Sequence, residues 1–247
     1  FKWKSDIVGD PPEGGGISLL VRVPKEEDGG TYFTDLFTNL SGRIFDVVTD
    51  MGEVITIPAE TKLFFGTTES DSNIQIPANI HDSNIFAGGG DDVVHSLSFG
   101  NHIYGGSGND TLYAGTRDRL FGGLGDDYLD ASGGNGSNQL YGGAGNDTLL
   151  GGNGDLLVGG SGEDTFIIAS GKLPDVGKPN LVLDFEDGID QIIIENLNLT
   201  QNRIGITSNE TDAVIAVDGQ EVAKILGISN ASILAINDTD PNNILIS

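Results

Sequence analysis

Five aspartates, Asp92, Asp110, Asp127, Asp147 and Asp164, each close a glycine-rich hexapeptide. The clearest copies read Gly105-Gly-Ser-Gly-Asn-Asp110, Gly122-Gly-Leu-Gly-Asp-Asp127, Gly142-Gly-Ala-Gly-Asn-Asp147 and Gly159-Gly-Ser-Gly-Glu-Asp164. A hard cation such as Ca²⁺ takes roughly six to eight oxygens in adaptable geometry. The aspartates offer the anionic oxygens. Carbonyls become the neutral ones if the chain turns sharply enough to aim them inward. Glycine permits this because it reaches φ > 0 without a Cβ clash. The second and fourth residues of each hexapeptide are glycines: Gly88 and Gly90, Gly106 and Gly108, Gly123 and Gly125, Gly143 and Gly145, Gly160 and Gly162. These ten glycines and five aspartates are the candidate metal-binding set.

The elements that must position them follow from a repeat. Nine units run through 87–95, 96–104, 105–113, 114–121, 122–130, 133–141, 142–150, 151–158 and 159–167. The penultimate residue of every unit is apolar: Val94, Ile103, Leu112, Leu120, Leu129, Leu140, Leu149, Leu157 and Phe166. One apolar residue per unit cannot bury a helix face. It can bury a short strand if the units stack as rungs and these side chains line up as a column.

The units alternate in quality. The odd ones keep Gly-Gly-x-Gly-x-Asp most closely. Among the even ones, the second lacks the glycine pair and has Asn101 at the sixth position. The fourth and eighth are one residue short and carry Asp118 and Asp155; the sixth keeps its glycines but has Asn138. Asp118, Asn138 and Asp155, with Asn109 from the fifth position of an odd unit, complete the candidate ligands. The plainer alternative is that all these turns are glycine-rich loops capped by their aspartates. Against it, the segment holds eleven acids and only two arginines, Arg117 and Arg119, so stacked aspartates without cations would repel one another. The two arginines could substitute a fixed charge for an ion.

The pattern Gly-Gly-x-Gly-x-Asp-x-apolar-x resembles the RTX (repeats-in-toxin) family, bacterial proteins exported by type I secretion. The resemblance covers about a third of the chain. It implies an all-β, right-handed parallel β-roll in which two units make one coil and ions sit between equivalent turns of successive coils. Coils stacked at strand spacing, roughly 4.8 Å, are close enough for one ion to bridge them. If odd and even turns lie on opposite edges, one edge carries a ladder of about four Ca²⁺ ions and the other none to about two. The expected organisation is a β-rich N-terminal flank over 1–82, the roll over 83–169 and a β-rich C-terminal cap over 170–247. In the flank, Asp71-Ser-Asn-Ile74 and Asp82-Ser-Asn-Ile85 echo each other and hint at irregular rungs; Thr34–Leu40 reads as a short helix. In the cap, Asp184-Phe-Glu-Asp187-Gly-Ile-Asp190 resembles the segment that follows such repeats, with three acids available for one further ion or for a polar turn. Asp212–Val217 and Glu221–Leu226 read as a hairpin. The terminal Asn-Ile-Leu-Ile-Ser247 is similar to an uncleaved secretion signal.

Composition narrows the function classes. Twelve Lys+Arg face 37 Asp+Glu, a formal net charge of −25, which is the wrong sign for nucleic acid. Such self-repulsion opposes compaction unless counterions are held in place. There is no cysteine, and no apolar run long enough to span a membrane. No His-Glu-x-x-His, Gly-x-Ser-x-Gly or Gly-Lys-Ser/Thr occurs, which removes the usual metalloprotease, esterase and phosphate-loop chemistries. His81, His95 and His102 fall near the first turns and suit surface roles. The expectation is a non-catalytic, secreted or cell-surface protein that folds around Ca²⁺, with homopolymer or surface assembly as its partners. The alternative is the C-terminal part of a secreted enzyme acting on polysaccharide or another extracellular substrate.

Overall fold

The structure is a computed structural model. It describes residues 69–169, 178–195, 204–208 and 211–228, together with Gly66 and the strand backbones at 17–18, 45–48, 54–57, 62–65, 236–240 and 243–246. The segment Thr34–Leu40 lies outside the described residues. All regular elements described are strands, and none is a helix that could cross a membrane.

The rungs form because each unit alternates a short β-prone run with a glycine-rich turn. Ile103, Leu120, Leu140 and Leu157 point into the interior from the parallel strands His102–Ser107, Arg119–Leu124, Gln139–Ala144 and Leu156–Ser161. They stand in direct register with one another and with Ile85 of Ser83–Gly89. The intervening strands, Val93–Ser96, Thr111–Tyr113, Tyr128–Asp130, Thr148–Gly151 and Thr165–Ala169, build a second parallel sheet. There Val94, Leu112, Leu129, Leu149 and Phe166 form the facing column. Each of these ten side chains is fully buried. The architecture is thus a parallel β-solenoid of about five turns, with two flat walls and two edges of turns.

Both sheets run past the repeat. On the N-terminal side Lys62–Phe65 adds to the first sheet and Ile74–Ile76 to the second. The two echoing tetrapeptides are therefore rungs of opposite walls, with Ile74 and Ile85 both in the core. On the C-terminal side Asn180–Val182 and Gln191–Glu195 continue the two walls in parallel. The direction then changes. The strands Asp212–Val217 and Gln220–Leu226 pair antiparallel as the expected hairpin, turning through Asp218 and Gly219 at positive φ, and close the first sheet together with Ile204–Ser208. The strand Asn243–Ile246 runs antiparallel against Gln191–Glu195.

On the outer face of the first sheet, Phe86, Tyr104, Phe121 and Tyr141 stack face to face, with ring centroids 4.7–4.9 Å apart. The separation matches the distance between adjacent strands, so exact register brings ring onto ring. His95 stacks likewise on Tyr113 of the other wall, at 4.4 Å.

Candidate metal centre

The odd turns all lie on one edge, between a strand of the first sheet and the following strand of the second. Their aspartates form a continuous ladder. Each backbone N–H donates to Oδ1 of the aspartate in the next turn: Asp92 to Asp110 at 2.8 Å, Asp110 to Asp127 at 2.7 Å, Asp127 to Asp147 at 2.8 Å and Asp147 to Asp164 at 2.9 Å. One carboxylate oxygen per turn is thereby spent on holding turns together. The second oxygen is not: Oδ2 of Asp92, Asp127 and Asp147 is buried without a hydrogen-bond partner. Buried polar atoms are nearly always satisfied, so a row of orphaned carboxylate oxygens calls for a ligand.

The glycines explain how the edge accommodates one. At the second position φ is 118° at Gly88, 116° at Gly106, 121° at Gly123, 125° at Gly143 and 110° at Gly160. The fourth positions Gly90, Gly108, Gly125, Gly145 and Gly162 are likewise positive. A Cβ at Gly123 or Gly125 would overlap the carbonyl of Gly106 or Gly108 in the preceding turn. Carbonyl oxygens therefore enter the spaces between turns, where hydrogen in place of a side chain leaves room. The first-position glycines Gly105, Gly122, Gly142 and Gly159 stand against Oδ2 of their own turn's aspartate. Each space between turns so gathers carbonyls and a carboxylate oxygen.

Electrostatics give the same account. Burial pushes the Asp92 carboxyl up to about 8, with the charges of Asp110, Asp71 and Asp91 adding to it. Asp127 is pushed up to about 8, Asp147 to about 7 and Asp164 to about 6, again chiefly by burial and then by neighbouring carboxylates. A carboxylate so disfavoured gains most from a cation beside it. Among the described residues no three His, Cys, Asp or Glu side chains converge on one point. An ion here is held by carbonyls and carboxylates drawn from two stacked turns, a donor set that suits a hard cation.

The fifth positions make a second ladder on the solvent side. Asn109 receives the Asp126 N–H on its Oδ1 at 2.9 Å, and Asp91, Asp126 and Asn146 accept in the same way from the next turn. Asn109 is therefore brought to the same edge, but its carbonyl oxygen already serves a backbone amide.

The ladder of sixth positions also reaches beyond the nine units. Asp71 donates its N–H to Asp92 at 2.7 Å, and Asp190 accepts that of Asp164 at 2.9 Å. Asp71 stands five residues after Gly66, the one trace of the repeat in that stretch. At the far end Asp184 accepts the Gly159 and Gly160 N–H groups, both at 2.9 Å, and Asp190 Oδ2 accepts that of Glu186 at 2.7 Å. Two of the three acids of this segment are thus committed to capping the last turn.

The even turns occupy the opposite edge, and Asn101, Asp118, Asn138 and Asp155 are fully buried there. They too form a ladder by the same N–H to Oδ1 rule, running from Ser83 through these four to Asn180. Unlike the first edge, both oxygens of its aspartates are hydrogen-bonded. Asp118 Oδ2 accepts the Gly115 N–H at 2.7 Å, and Asp155 Oδ2 that of Gly152 at 2.8 Å. Arg117 lies over the Phe99 ring, 5.3 Å from its centroid, and Phe99 stacks in turn on His81.

No curated protein matches the chain. The RTX calcium-binding nonapeptide repeat, in four copies, matches in overlapping stretches between residues 82 and 166. This span contains every odd-unit turn of the aspartate ladder. Residues 82–166 are therefore a run of RTX calcium-binding repeats folded as a β-roll, whose stacked turns bind several Ca²⁺ ions between them.

Proposed function

We propose that the chain is an extracellular structural module whose folding is switched on by calcium. The observation that carries this reading is the row of buried Oδ2 atoms at Asp92, Asp127 and Asp147, which lack any partner from the protein. Without a cation they repel one another in a chain already at −25; with one they complete the turns. Metal-binding free energy is then largely folding free energy. Sites of extracellular modules commonly bind at about 10⁻⁴–10⁻³ M. They stay empty at cytoplasmic calcium levels and fill outside the cell. Export unfolded and folding on arrival follow naturally, as in a type I secreted protein.

The role is structural rather than enzymatic. The buried carboxylates are laid out as rows of ligands at strand spacing, not as a pair flanking an open cleft. Such a module serves as a stalk, a surface-layer or filament component, or the secretion-competent tail of a larger protein.

The test is a calcium titration of the chelator-treated chain, followed by far-UV circular dichroism. The expected outcome is a cooperative gain of β-structure between micromolar and millimolar Ca²⁺, with Mg²⁺ ineffective. Mg²⁺ demands near-octahedral geometry and gives up its water reluctantly. A spectrum unmoved by calcium would overturn the proposal.

A further inference from the structure

The nonapeptide pattern treats odd and even units as better and worse copies of one site, but their turns are built differently. First-edge turns use two glycines at φ of 86–137°. Second-edge turns place a left-handed residue directly before the ladder residue: Gly100 before Asn101 (φ 72°), Arg117 before Asp118 (φ 56°), Ser137 before Asn138 (φ 62°, with Gly136 at 86° ahead of it) and Gly154 before Asp155 (φ 67°). Side chains tolerate that region far better than φ near 120°, so Arg117 and Ser137 are accommodated. The second and fourth units have lost the glycines that this other turn does not need. The sixth keeps Gly133, Gly134 and Gly136 and the eighth Gly151, Gly152 and Gly154, with none of them above φ 86°.

The ladder chemistry differs in the same direction. On the first edge every rung from Asp92 to Asp164 is an aspartate; on the second, amide and acid alternate strictly through Asn101, Asp118, Asn138, Asp155 and Asn180. No two carboxylates are neighbours there, so no repulsion has to be neutralised. The alternation also fixes which atoms face inward. Each Asn uses Oδ1 to accept a backbone N–H, which turns its NH₂ group toward the turn. Asn101 Nδ2 donates to Ser96 Oγ at 3.1 Å and to Ser98 Oγ at 2.8 Å, and Asn180 Nδ2 to the Gly152 carbonyl at 3.2 Å. Asn138 Nδ2 stands beside Gly134, the place that Asp118 Oδ2 and Asp155 Oδ2 take beside Gly115 and Gly152. An amide nitrogen is a donor and cannot ligate a cation. The acids between these amides have both oxygens occupied by main-chain N–H groups.

From this we infer that the second edge is a metal-free seam, in which Asn101, Asn138 and Asn180 exclude calcium while Asp118 and Asp155 stitch turns together through backbone amides. The inference rests on the calcium reading of the first edge and sharpens it: all ions of the roll lie on one edge, and Asp118, Asn138 and Asp155 are positioning residues rather than the ligands their sequence positions suggest.

Counting bound calcium on the full chain by equilibrium dialysis tests this, with D118N, D155N and D127N compared against the unsubstituted protein. About four ions are expected in the unsubstituted protein, one per space between the five odd turns. D118N and D155N should retain that number whenever they give the β-rich circular dichroism spectrum, whereas D127N, which faces two spaces, should lose one or two. Loss of a whole ion from folded D118N or D155N would overturn the inference. Should both variants fail to fold, anomalous diffraction from the calcium-loaded unsubstituted protein decides: ions between residues 118 and 138, or 138 and 155, overturn it, and ions along the first edge alone support it. A protein that binds no calcium at all fails differently, by overturning the proposed function itself.

Discussion

Asp127 shows how much work one residue does in this fold. Its backbone N–H reaches Asp147, its Oδ1 receives the Asp110 N–H, and its Oδ2 is buried without a partner. The first two contacts are structural and hold in any protonation state; the third needs a proton or a cation. An amide at this position preserves the acceptor for Asp110 but sets an NH₂ group where ligand oxygen is required. D127N is therefore expected to shift the calcium midpoint of folding upward by about tenfold or more, since hydrogen-bonded charged groups are worth about 1.5–3 kcal/mol. D118N should move it much less. Equal shifts in the two titrations would remove the distinction between the edges. The glycines are as specific. Gly125 sits at φ 120° with the Gly108 carbonyl directly against it. G125A adds both backbone strain and a clash with rigid main chain, and should cost more than the roughly 1 kcal/mol typical of an ordinary Gly-to-Ala mismatch. A thermal melt in saturating calcium that is unchanged by G125A would contradict the packing described.

At the scale of the element, the repeat made the rungs legible and the edges only partly so. One apolar residue per unit is a sufficient signal for the two facing columns, because strands of three to six residues have few inward positions and this one is apolar in every unit. L129A removes a fully buried side chain between Leu112 and Leu149. A loss of about 2–5 kcal/mol in denaturant unfolding of the calcium-loaded protein is expected; a loss below about 1 kcal/mol would mean the column collapses to fill the space. The distinction between edges was half visible: the lost glycines of the second and fourth units and the amides Asn101 and Asn138 were plain, but they read as decay until the backbone shows a different turn. Rungs of the first sheet at residues 85, 103, 120, 140 and 157 are 17 to 20 residues apart. The extra residues of the longest coil fall on the second edge, between Ala131 and Asn138, where no ion-binding geometry has to be preserved. The end rungs were hidden for another reason. Asp71, Asp184 and Asp190 do the ladder's work with almost none of its glycines, and a terminal rung faces a neighbour on one side only.

For the molecule as a whole, the same ladder makes protons and calcium competitors. In the calcium-free roll the Asp92, Asp127, Asp147 and Asp164 carboxyls titrate at about 8, 8, 7 and 6, against about 3.9 in an unfolded chain. Between these limits the folded state binds more protons than the unfolded state, so stability falls as pH rises. The contribution is fully present below about pH 4 and lost progressively up to about pH 8. The general repulsion of a chain at −25 acts in the same direction, so the ladder's share must be isolated by substitution. Saturating calcium removes the slope, because the ion replaces the proton and both the calcium-loaded and the unfolded states are then ionised above about pH 5. In chelator the β-rich circular dichroism signal should be greatest at about pH 5 and be lost toward about pH 8, more steeply for the unsubstituted chain than for D127N. The unfolded chain and the calcium-loaded ladder are both ionised above about pH 5, so the calcium midpoint of folding should stay level there, while calcium binding to the roll already folded at about pH 5 to 6 should release protons. A β-rich signal in chelator that grows with pH, or calcium binding at about pH 5 to 6 that releases no protons, would show that the aspartate ladder is not where the cation binds. The competition also gives the net charge a consequence: with no cation on the first edge the carboxylates oppose closure of the roll at neutral pH, and ions bound between the turns relieve that repulsion.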